Sequence, residues 1–227
     1  MRKGTVTFFF LLLLLFSLVI PSWAQQNNKK IISKDVAPIL EQLKKAQESL
    51  QDFTADINQV KVSSLSKTPV VSRGKMRFKR PDRIWVEMYP PYPTVTVLNK
   101  GVLLIYFPDE KVAQRYQLAG NPALAKWLLF FQNPIDTLGK RIWLQEERAG
   151  EVVLGIDPAE DLAIFQKIRI SIDTANWLPS SVEMVEKGGD CTTINYNNVT
   201  INSGITDDSF KLRLPSGVEI IEPMKRK

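Results

Sequence analysis

The chain has 227 residues, with 30 Lys+Arg against 24 Asp+Glu, no histidine and one cysteine. Without histidine there is no Ser-His-Asp or Cys-His catalysis and no commonest zinc ligand; with Cys191 alone there is no intrachain disulfide and little scope for a zinc or iron–sulfur site. A formal charge of +6 is too small and too scattered along the chain to argue for nucleic acid. Carboxylate-pair chemistry is formally open, but no spacing singles out a pair of acids, and the chain reads as a non-enzyme with no metal site and no cofactor.

The N-terminus places Arg2 and Lys3 before an apolar run at 8–20 (FFFLLLLLFSLVI), followed by Pro21-Ser22-Trp23-Ala24. Such a run is short for a ~30 Å hydrocarbon layer, and the small-x-small ending suits a signal peptidase. Residues 1–24 are expected to be a cleaved secretory signal, and 25–227 a single exported domain with net charge +4 once Arg2 and Lys3 are gone. Gln25 rather than cysteine follows the cut, so the new N-terminus offers no thiol for lipid attachment.

Residues 35–53 carry Val36, Ile39, Leu40, Leu43, Ala46, Leu50 and Phe53 at spacings of three and four, which predicts one amphipathic helix with Pro38 in its first turn. From Thr54 the period becomes two. Strands are predicted at 54–62, 70–79, 82–89, 94–98, 102–107 and 111–118, broken by Pro, Asn and Gly signals that leave room only for antiparallel connections. Asn121-Pro122 then opens ALAKWLLFF (123–131), apolar nearly all round, and 133–139 offers a second helix start with Gly139 as its stop. Strands resume at 141–148, 151–157, 165–172, 178–186, 191–200 and 218–221. About eleven antiparallel strands curl under their own twist. The few helices then either complete an ordinary core or leave a cavity against the concave face.

The stretch GKMRFKRPDRIWVEM (74–88) sharpens this. Lys75, Arg77 and Lys79 share one parity, and Met76 and Phe78 the other. Arg80 falls on the apolar parity immediately before Pro81. On the residues alone it is either a strand-end arginine snorkelling over the sheet edge or a donor aimed at something covering the face.

The ordered set Lys79-Arg80-Pro81, Glu87, Asn99-Lys100-Gly101, and Tyr106 with Pro108, together with FKLRLPSGV at 210–218, resembles the outer-membrane lipoprotein carriers, the LolA-like proteins. Two tryptophan positions of that pattern fall on Val86 and Leu104. The resemblance implies a mainly β, α+β fold: an unclosed half-barrel of about eleven strands under a lid of a few helices. It implies an apolar cavity lined by Met76, Phe78, Ile84, Val86, Met88, Val95, Val97, Leu104 and Tyr106 from the strands, and by Trp127, Leu128 and Phe130 from the lid. Arg80 becomes a lid latch. The implied protein is a periplasmic monomer. It takes acylated lipoproteins from an inner-membrane lipoprotein-releasing transporter and passes them to an outer-membrane receptor or the outer membrane itself. The alternative on the same fold is a periplasmic protein that senses or carries another lipid.

Overall fold

The computed structural model describes residues 31–32, 34–66, 68–119, 139–158 and 164–223. The predicted signal and the predicted central helices, with Trp127, Leu128 and Phe130, lie outside the described residues. Gly139, read as a helix stop, is instead the first residue of a strand.

In chain order the elements are β1 (Ile31–Ile32), a 3-10 turn (Lys34–Val36), α1 (Ala37–Ser49), β2 (Asp52–Val62), β3 (Val70–Lys79), β4 (Arg83–Met88), β5 (Thr94–Asn99), β6 (Val102–Phe107), β7 (Val112–Gln117), β8 (Gly139–Arg148), β9 (Glu151–Pro158), β10 (Phe165–Asp173), β11 (Leu178–Glu186), β12 (Cys191–Ile201), a second 3-10 turn (Asp207–Phe210) and β13 (Glu219–Ile221). The predicted helix therefore ends early. Leu50 turns to an extended conformation, and Phe53 joins β2. All thirteen described strands belong to one curled, unclosed sheet in the order β1-β8-β9-β10-β11-β12-β2-β3-β4-β5-β6-β7-β13. Every internal pairing is antiparallel. The short edge strands β1 and β13 run parallel to β8 and β7, and sequence periodicity carries no sign of either arrangement.

Directly paired residues share a face, so the register assigns the concave side. Phe53, Phe78, Ile84, Leu98 and Leu103 form one such row across β2–β6, and Ala55, Met76, Val86, Thr96 and Ile105 form the next. Across β8–β11 the rows are Ile142, Ile156, Ile168 and Met184, then Leu154, Ile170 and Val182. The apolar stripe of α1, with Val36 just before it and Ile39 and Leu43 within it, packs on this second half. Tyr196 on β12 touches both halves of the core.

Candidate functional site

Between α1 and the concave face lies a chamber of about 120 Å³. Its walls come from the end of α1 (Leu43, Gln47, Leu50), from β2–β3 (Phe53, Ala55, Met76, Phe78), and from the isoleucines, leucines and valines of β8–β12. Polar atoms are few. Tyr196 brings a phenol whose pKa burial pushes up to about 12. Gln47 and Arg80 stand at the end of α1.

That helix end explains why an arginine sits there. The sequence APILEQLKKAQES supplies no basic residue in its last turn, and Leu50 rather than glycine follows it. The Leu50 amide and Ser49 Oγ reach the Ala46 carbonyl, and the Leu50 amide also that of Gln47, which leaves capacity at the helix end for donors from elsewhere. Arg80 provides two: Nε donates to the Leu50 carbonyl at 2.7 Å, and Nη2 to that of Gln47 at 2.6 Å. The Arg80 amide also donates to Gln51 O at 2.9 Å, which fixes the β3–β4 turn against the helix end. From the opposite side Asn202 Nδ2 donates to Ser49 O at 3.2 Å. A cation beside the last turn also complements the helix dipole.

The C-terminal arm crosses the convex face. Asp52 anchors its start, accepting from Ser203, Gly204 and Ile205 amides at 2.9, 3.0 and 3.3 Å. The wet parity of β3 then binds it: Lys79 donates to Ile205 O at 2.7 Å and Arg77 to Ser209 O at 3.1 Å, while Arg83 pairs with Asp207 at 2.9 Å. Phe210 is fully buried there, its carbonyl accepting from Asn99.

This arm corrects part of the predicted lining. Val95, Val97, Leu104 and Tyr106 pair with one another and with Glu87 and Trp85, which places them on the convex side. Val97 and Tyr106 are buried all the same, because the arm runs over β4 and β5 on that side. Thr94 and Thr96 take the inward positions instead. Met76 and Phe78 line the chamber; Ile84, Val86 and Met88 lie beside them on the concave face without lining it. Missing from the sequence-derived set are Leu154, Ile156, Ile170, Ile172, Val182 and Tyr196. β10 alternates Ile168, Ile170 and Ile172 with Lys167, Arg169 and Ser171, but nothing local places its apolar side on the same chamber as Met76.

Known proteins resemble this chain in sequence and in fold. An outer-membrane lipoprotein carrier protein of Pseudomonas entomophila (strain L48) is 24% identical over 194 residues, 83% of this chain and 88% of that one. That of Bordetella avium (strain 197N) is 25% identical over 185 residues, 80% and 86% of the two chains. In fold, an uncharacterized conserved protein from Thermus thermophilus superimposes with a TM-score of 0.57 at 11% identity, over 83% of this chain and 99% of that one. The family model described as outer membrane lipoprotein carrier protein LolA matches residues 48–213, most of the sheet and the Arg80 turn included. The chain belongs to the LolA outer-membrane lipoprotein carrier family.

Proposed function

We propose that this protein is a periplasmic carrier that shields the acyl chains of lipoproteins within the curled sheet and conveys them from the inner to the outer membrane. The supporting observation is the chamber: walled almost wholly by apolar side chains, yet closed over by a helix whose end one arginine holds. Family membership supports the class of cargo. The role is binding, with an inner-membrane transporter loading the carrier and an outer-membrane receptor, or that membrane itself, unloading it.

Magnitudes make such a carrier necessary. Each methylene kept from water contributes ~0.8 kcal/mol, so several acyl chains amount to tens of kcal/mol gross. A dry apolar hole on the order of 150 Å³ takes a single benzene-sized molecule, so a chamber of about 120 Å³ is far too small for acyl chains. In this reading the described form is the shut, empty one. Loading separates α1 from the sheet and breaks the Arg80 bonds to Gln47 and Leu50. Contacts with the cargo offset that loss, and on delivery the latch re-forms. Arg80 thereby keeps affinity moderate enough for release.

Purification of the protein from the periplasm under native conditions, followed by mass spectrometry, tests the reading. Co-purifying triacylated lipoprotein is the expected result. Free glycolipid or phospholipid without lipoprotein would redirect it to the lipid-sensing alternative, and a protein that binds no hydrophobic probe would overturn it.

A further inference from the structure

The concave face holds a second recess, of about 170 Å³, at the rim opposite Arg80. The ladder between β2 and β3 leads from one to the other. The pair Ala55–Met76 lines the first chamber, and the pair Gln59–Ser72, two inward positions further on, lines the second. From Phe78 to Ser72 is roughly 20 Å along the strand. Met88 stands between them, paired with both Gly74 and Thr94. Its Sδ lies so close over Gly74 that an added Cβ would sit 2.8 Å away. A flexible thioether is the side chain best able to swing aside at such a point.

The chemistry of the recess is the inverse of the chamber's. Ser72 is 4% exposed and Thr94 8%, yet neither hydroxyl bonds to another described residue, and nor does the Gln59 amide. Ser72 and Thr94 are thus mostly buried side chains whose hydroxyls are not fully enclosed and remain open in the recess to water or a ligand, and Gln59 is half-buried beside them. Tyr92 from the β4–β5 turn walls one side, and Asp109 and Glu110 from the β6–β7 turn supply, among the described residues, the only formal charges of the lining, both negative. The chain as a whole carries the opposite sign.

We propose that this recess receives the polypeptide segment that follows the acylated residue of the cargo. Ser72, Thr94 and Gln59 bond its backbone, and Asp109 and Glu110 select a basic side chain. This rests on the carrier reading above, since it supposes acyl chains in the first chamber. A phospholipid headgroup fits less well, because its phosphate would face two carboxylates.

The test compares two synthetic lipopeptides, each a triacylated cysteine followed by serine and then by four lysines or four glutamates. Calorimetry measures their binding to the mature protein and to an Asp109→Asn, Glu110→Gln double variant, whose changes lie at exposed turn positions. The expected result is that the wild type prefers the lysine lipopeptide by ~tenfold, against the direction its own net charge would favour, and that the double variant loses the preference. Equal binding of the two lipopeptides, or a preference that survives in the variant, overturns the proposal while leaving the carrier reading intact. Failure of both to bind overturns the two together.

Discussion

Arg80 Nε donates to the carbonyl oxygen of Leu50 at 2.7 Å, joining the β3–β4 turn to the residue that ends a helix thirty positions earlier. With the companion bond to Gln47, one guanidinium adds two charge-assisted donors to a helix end otherwise held by the Leu50 amide, Ser49 Oγ and Asn202, and it does so in the wall of the apolar chamber. Arg80→Leu removes both charge-assisted bonds, together worth roughly 2–4 kcal/mol to the shut form. The expected outcome is at least ~tenfold tighter binding of a fluorescent fatty acid, a higher acylated-cargo fraction in purified protein, and slower release. Arg80→Lys should behave closer to Leu than to Arg, since an ammonium cannot fork between two carbonyls. Unchanged affinity and unchanged release in the leucine variant would remove the latch from the mechanism.

Asp52, 3% exposed, ties the C-terminal arm to the start of β2 through bonds from Ser203, Gly204 and Ile205. Asp52→Ala removes the buried acceptor of three backbone amides at the partly exposed start of the arm, at a cost of about 1–2 kcal/mol. Hydrogen exchange should show residues 203–212 losing protection first, with α1 next, because Asn202 beside them also bonds Ser49. Loss of protection spread evenly over the sheet would contradict this order.

At the far end of the sheet, the Ser64 amide, with the Ser64 and Ser63 hydroxyls, holds the Asp190 carboxyl below its ordinary 3.8. A carboxyl with a lowered folded-state pKa stabilises the fold above its unfolded value, and that contribution disappears as pH falls through the folded value. Asp190→Asn should therefore cost about 1 kcal/mol at neutral pH, with urea midpoints of variant and wild type converging in strong acid. Glu186 works in the opposite sense. Burial pushes its carboxyl above 4.5, so its contribution is greatest in acid and declines as pH rises through that region. A gap between Asp190→Asn and wild type that stays constant with pH would rule out the Asp190 assignment.

Burial raises the Tyr196 phenol from 10 to about 12. The folded state keeps it neutral, so stability is complete below pH 10 and falls as pH climbs toward the folded value, at up to about 1.4 kcal/mol per pH unit. Tyr196→Phe should lose this slope while leaving stability at pH 8 within about 1 kcal/mol of wild type. Urea unfolding at two alkaline pH values measures it; parallel slopes in the two proteins would show that Tyr196 is not the group responsible.

Legibility from sequence followed the contrast between faces. In β3, lysine and arginine alternate with Met76 and Phe78, so one side is plainly wet, and the inward positions there and on β4 could be read directly. β5 and β6 offered no such contrast. Val95 and Val97 look more suited to the interior than Thr94 and Thr96, yet pairing with β4 turns the threonines inward. Hydrophobicity assigns a face only where the other face meets water, and here the C-terminal arm covers the other face. The β8–β12 wall was missed for a related reason: β9 is apolar on both parities, and which half of a curled sheet faces which is a property of closure rather than of any strand.

The sequence by itself determined the helix before the sheet and the strands from β2 to β13 to within a few residues at their ends, the meander between β2 and β7, and the anomaly of an arginine on an apolar parity before Pro81. Periodicity and turn chemistry are local, and they act within a few residues of where they are written. Only the tertiary structure decided what Arg80 holds, which valines face the chamber, and that two unlike recesses lie at opposite ends of one concave face. Those outcomes depend on segments tens to more than a hundred residues apart meeting across the curl, and no local pattern encodes such a meeting.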